Sequence, residues 1–156
     1  MNKILKFIIS IFLPLFIGFL GSLATKNSVN SWYLTLNKPS FSPPNWIFAP
    51  VWSLLFVLIG ISFYIVWNKT IYIDFKNIAY LIFFAHLIFN LLWSVLFFAL
   101  RKPILAFVDI IILWILVFFN IKEFYKISSA AGLILIPYIL WLSFAVLLNF
   151  AIVLLN

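Results

Sequence analysis

The chain has 156 residues, of which 67% are apolar and 8% charged, with a net charge of +7 and no cysteine. A soluble domain carries roughly 25% charged residues, so an ordinary water-soluble fold is excluded, as are a disulfide framework and a thiolate metal site. One histidine and three scattered acids offer no metal cage, and the sequence implies no cofactor.

Five apolar runs, each expected to form a transmembrane helix, are separated by the charged residues. The first covers residues 4–24 behind Lys3 and Lys6. A cleaved signal peptide is the competing reading, since Ser22-Leu23-Ala24 has small residues at cleavage spacing. The length of the run, with Pro14, Gly18 and Gly21, favours a helix packed closely on a neighbour. Residues 25–44 form the one sizeable connection, and its Trp32, Tyr33, Pro39, Phe41, Pro43 and Pro44 predict an ordered lid over the helix ends, because proline limits the conformations lost on ordering and amphipathic rings suit the headgroup level.

The second run, 45–67, carries Phe48, Trp52, Leu55, Ile59 and Phe63 in one stripe. The third, 78–100, places Asn90, Trp93 and Phe97 at offsets of four, seven and eleven from His86, again a single stripe. Arg101-Lys102-Pro103 predicts a tight turn into the fourth run, 104–121, which is barely long enough to span about 30 Å of hydrocarbon. Asp109 lies in its first turns, where the helix dipole favours an anion and Arg101 or Lys102 is within reach, so a structural ion pair or hydrogen bond is its expected role, with ligand or proton handling as the alternative. The fifth run, 130–155, repeats the polar-aromatic stripe with Tyr138, Trp141, Ala145 and Asn149, after Pro137.

These elements predict an all-α membrane protein, a five-transmembrane-helix bundle of one domain over residues 1–156, with up-and-down topology. All ten basic residues lie outside the runs or at their ends, the distribution of a protein in contact with a lipid bilayer, and no nucleic acid partner is expected. Lys3, Lys6, Lys69, Lys76, Lys122 and Lys126 on the amino-terminal side outnumber Lys26, Lys38, Arg101 and Lys102 on the other, which leans towards a cytoplasmic amino terminus. Polar groups at membrane depth must find partners or line a cavity. Spacing alone leaves both readings open for the aromatic stripes, with helix packing the commoner, and no nucleophile, acid-base pair or phosphate loop is visible.

Three segments resemble one known family. Trp32-Tyr33-x-x-Leu36-x-Lys38-Pro39-Ser40-Phe41-x-Pro43-Pro44-x-Trp46, continuing to Pro50-Val51-Trp52, is similar to the first loop and second helix of the translocator protein family of tryptophan-rich sensory proteins, also called peripheral-type benzodiazepine receptors. Asn90-Leu91-Leu92-Trp93-Ser94 with Phe97-Phe98 and Ala106-x-x-Asp109 resembles its third and fourth helices, and Pro137-Tyr138-x-x-Trp141-x-x-Phe144-Ala145-x-x-Leu148-Asn149 its fifth.

The resemblance implies a bacterial cell-membrane protein, commonly a homodimer, that binds a porphyrin such as protoporphyrin IX, or another flat apolar small molecule, in a pocket closed by the first loop. Trp52 and Trp141 match the tryptophans associated with light-dependent porphyrin breakdown, and are the candidate catalytic residues. Tyr33, Pro43, Phe56, His86, Asn90 and Ala145 match pocket-lining positions, to which the stripes add Phe48, Trp93, Phe97 and Tyr138. His86 stands where many members have Gln, so ligand affinity is expected to vary with pH. The basic residue of the mammalian cholesterol motif is missing after Asn149, which argues against sterol binding. The implied function is a tetrapyrrole sensor or handling protein, with a porphyrin transporter and a membrane interaction protein as alternatives.

Overall fold

The structure, a computed structural model, describes residues 2–70 and 77–156, so Lys76 lies outside the described residues. Five helical units are long and apolar enough to cross a membrane: Lys3–Val29, Asn45–Lys69, Ile78–Ala99, Pro103–Ile127 and Ser129–Leu155. In hydrocarbon every backbone N–H and C=O must be paired within the protein, and a helix does this within one segment. The chain is therefore an integral membrane protein whose elements are α1 (Lys3–Val29), α2 (Trp32–Thr35), α3 (Phe48–Lys69, after a 3₁₀ turn at Asn45–Ile47), α4 (Ile78–Ser94), α5 (Pro103–Ile127), α6 (Ser129–Ile134) and α7 (Ile136–Leu155).

Local chemistry sets the ends. The Asn2 and Asn77 side chains accept from the backbone N–H groups of Ile4 and Ala79, capping α1 and α4. Pro103, whose missing N–H costs nothing in a first turn, opens α5. The tight turn before it holds Arg101 at φ 55°, the left-handed conformation that ends many helices. Just upstream, α4 widens into a π turn, Val95–Ala99, in which the Leu100 N–H donates to the Val95 carbonyl at 2.8 Å.

Several boundaries differ from the sequence reading. α1 continues to Val29, and part of the connection is the helical turn α2. α5 extends past residue 121 to Ile127, because Lys122, Glu123 and Lys126 sit in its last turns, where Lys126 pairs with Glu123 at 2.5 Å. The fifth unit is broken at Leu135, two residues before Pro137. Asp109 makes no ion pair with Arg101 or Lys102. It is buried, with both carboxylate oxygens unpartnered among the described residues, while the two basic residues are exposed in the turn.

α1 packs against α3 and α4, α4 against α5, α5 against α6 and α7, and α6 back against α3, closing a ring of helices. The end bearing the amino terminus is solid. Phe63 and Phe83 stack at 4.2 Å, Phe83 stacks with Phe124 at 5.7 Å, and the Tyr80 hydroxyl hydrogen-bonds Thr70. Lys6 reaches this end, donating to the Trp67 carbonyl at 3.1 Å. At the loop end the same ring is hollow.

Candidate ligand cavity

A cavity of about 440 Å³ lies between α1, α3, α4 and α7 beneath the loop, within the ~300–1,000 Å³ range of small-molecule sites. Three of the seven tryptophans, Trp52, Trp93 and Trp141, stand on its wall. Phe48 meets Trp141 edge-on at 6.2 Å, Trp52 leans on Phe56 at 5.7 Å, and Trp93 stacks with Phe97 at 5.3 Å. The π turn carries Phe97, and the extra residue it accommodates turns this ring and Phe98 towards the loop, where Trp32 and Tyr33 meet them.

Two amides fix the polar part of the wall. Asn90 donates to the Tyr138 hydroxyl at 3.1 Å. Trp93 Nε1 donates to Asn149 Oδ1 at 3.0 Å, while Asn149 Nδ2 donates to the Pro103 carbonyl at 3.0 Å, so one side chain joins α4, α7 and the start of α5. The Trp141 indole N–H is buried without a partner among the described residues. No Asp, Glu, Lys, Arg or His lines the cavity among those residues, nor do they include a cluster suited to a metal ion. The roof residue Tyr33 is 3% exposed, and burial pushes its phenol above the ordinary value of 10.0 despite the nearby Ser42 hydroxyl.

The structure brings nine of the residues singled out from the sequence to this cavity: Tyr33, Phe48, Trp52, Phe56, Asn90, Trp93, Phe97, Trp141 and Ala145. Three are not on the wall. His86 is fully buried one turn below Asn90, with Phe83 and Tyr138 rings at 5.2 and 5.8 Å. The Ile82 carbonyl lies beside it without making a well-formed hydrogen bond to either ring nitrogen. Tyr138 stands behind Asn90 and supports it. Pro43 belongs to the loop but does not reach the cavity.

The wall contributed by α1 was missed. Gly18, Gly21, Ser22 and Thr25 all line the cavity, and their offsets of three, four and seven residues from Gly18 are those of one helix face. That run of small residues was the available signal.

The TspO/MBR family matches residues 10–155 of the chain. The chain belongs to the TspO/MBR family. It is 49% identical over 154 residues to "Tryptophan-rich protein TspO" of Archaeoglobus fulgidus, covering 99% of each chain. It is 40% identical over 161 residues to the protein of the same description in Chlorobaculum tepidum, covering 100% of this chain and 99% of that one. With "Translocator protein" of Bos taurus the identity is 33% over 139 residues, 88% of this chain and 82% of the relative. The TspO/MBR match takes in the loop, most of the first helical unit and the other four, so every wall of the cavity falls inside it.

Proposed function

We propose that the chain binds a flat, apolar tetrapyrrole, with protoporphyrin IX as representative, and acts as a membrane sensor or handling protein for it, as a homodimer. The observation that carries this reading is an uncharged cavity at membrane depth with three tryptophans and several phenylalanines on its wall. Indole and phenyl faces suit a planar π-system, in offset or edge-to-face arrangements.

The reading extends to light-dependent porphyrin degradation, in which an electron passes from the indole of Trp52 or Trp141 to the excited macrocycle and on to dioxygen, the superoxide formed adds to the macrocycle and an electron returns to the indole, so that the net change is addition of both oxygen atoms with cleavage of one ring C–C bond. Such chemistry needs no acid-base pair. A transporter is the rival, and the solid packing of Phe63, Phe83 and Phe124 at the far end favours binding over transit.

The test is protoporphyrin IX binding in the dark, followed by illumination. Trp52→Phe and Trp141→Phe keep a ring for stacking and are expected to bind within about 1 kcal/mol of the parent, while light-driven loss of porphyrin absorbance slows sharply. Trp67→Phe, next to Phe63 and Lys6 at the far end, changes neither. Equal bleaching in all three variants would remove the photochemical extension; loss of binding in the first two would leave them as ligand contacts alone.

A further inference from the structure

The loop roofs the cavity at one end and is held there by hydrogen bonds. On the loop side Lys38 Nζ donates to the Tyr33 and Leu36 carbonyls at 2.8 and 3.3 Å and stands 4.8 Å from the centre of the Tyr33 ring. The loop is also clasped to the end of α7. The Asn37 backbone N–H donates to Asn156 Oδ1 at 3.0 Å, the Asn37 side chain donates to the Leu155 carbonyl at 3.2 Å, and Asn156 Nδ2 donates back to the Asn37 carbonyl at 2.9 Å.

The side wall between α1 and α3 is different. Phe19 and Ser22 on α1, and Ala49 and Ser53 on α3, border the cavity and are exposed. Cavity-lining residues that stay exposed mark the thinnest part of the wall. Apart from Phe19 these residues are small. The Ser22 and Ser53 hydroxyls donate to the carbonyls of Phe19 and Ala49 in their own helices, at 2.7 and 2.8 Å, so the rim holds no free hydroxyl proton to hinder an apolar molecule. The slot is confined to the loop-side half, because further along the two helices touch through their backbones. A Cβ added to Gly60 would lie 2.7 Å from the Ser10 carbonyl oxygen.

We propose that ligand reaches the cavity sideways from the loop-side leaflet, through the slot between α1 and α3, while the loop stays clasped. This rests on the ligand-binding reading above. The slot takes a molecule that is thin in one dimension and already dissolved in the bilayer, where apolar surface is driven from water. Tyr33 and its neighbours are then a fixed roof, and Asn37 and Asn156 hold it shut during exchange.

The absence of cysteine allows a direct test in proteoliposomes, with protoporphyrin IX as probe, read in the dark by stopped-flow tryptophan quenching. In one protein Asn37→Cys and Asn156→Cys are joined by a short bismaleimide; in another Ser53→Cys is capped with a bulky aromatic methanethiosulfonate that reductant removes. The proposal predicts that the cap slows both association and dissociation, each by about tenfold or more, reversed on reduction, whereas the joined loop keeps both rates within about twofold. It is overturned if joining the loop slows exchange and capping does not, or if capping weakens affinity without slowing dissociation, which would make Ser53 part of the site and not of the path. Absence of quenching in the parent protein would instead remove the ligand reading itself, and the proposal with it.

Discussion

The residues on the cavity wall include none that titrates near neutrality, and this bears directly on pH dependence. Had His86 touched ligand, its ordinary pKa near 6.5 would make affinity vary across pH 5 to 8. Sealed behind Asn90 and Tyr138, it cannot act that way. The pH dependence of protoporphyrin affinity over pH 5 to 8 is therefore expected to be the same in His86→Gln as in the parent, set by the porphyrin's own carboxyl groups; a titration midpoint in that window that disappears in the variant would put the imidazole back at the site. Tyr33 acts at the alkaline end. Its folded-state pKa is raised above 10.0, so its contribution to seating the roof is complete below pH 10 and is lost as the pH rises through the folded value. Helical spacing revealed which residues share a stripe, and Asn90, Trp93, Phe97, Trp141 and Ala145 do share the wall. It did not reveal depth along the helix, because a periodicity carries no information on where a bundle changes from filled to hollow, and His86 and Tyr138 fall just on the filled side.

Among the elements, the contact of α1 with α3 decides where the slot ends. Pro14 has no N–H, so it cannot donate to the Ser10 carbonyl one turn earlier, and the Gly60 backbone lies against that carbonyl. A Cβ at residue 60 would also lie 2.8 Å from Ile11 Cα, and backbone cannot swing aside as a side chain can. Gly60→Ala is expected to destabilise the bundle by about 1–3 kcal/mol, the scale of overpacking, measured by denaturant unfolding in detergent; an unchanged unfolding midpoint would mean that the helices separate freely here. The number of helices was legible in the sequence because long uncharged runs have few alternatives in lipid. Their ends were less so. α1 and α5 run into charged residues that extend to the headgroup layer without breaking the helix, and the π turn of α4 leaves no mark in a pattern of uniformly apolar residues.

The whole molecule is a bundle packed solid at one end and walled with aromatic rings around a cavity at the other. A binding protein needs that asymmetry, since the stacked Phe63, Phe83 and Phe124 end holds the helices at fixed spacing while the loop end keeps a space they do not fill. The motifs of the loop and of α3, α4 and α7 were visible as a family resemblance, but the enclosing role of α1 was not, because glycine and serine at helical spacing read equally well as packing. The central claim is that a flat apolar ligand occupies this cavity, and Ala145, a small residue on its wall beside Trp141, allows the most direct measurement. Purified protein is titrated with protoporphyrin IX in the dark and read by tryptophan quenching, in parallel with Ala145→Trp, which fills the cavity, and Ile112→Trp, whose position on α5 is exposed on the outer face. The account predicts saturable quenching in the parent and in Ile112→Trp, and affinity weakened by more than about tenfold, ~1.4 kcal/mol, in Ala145→Trp with helix content unchanged by circular dichroism; equal affinity in all three proteins would contradict it.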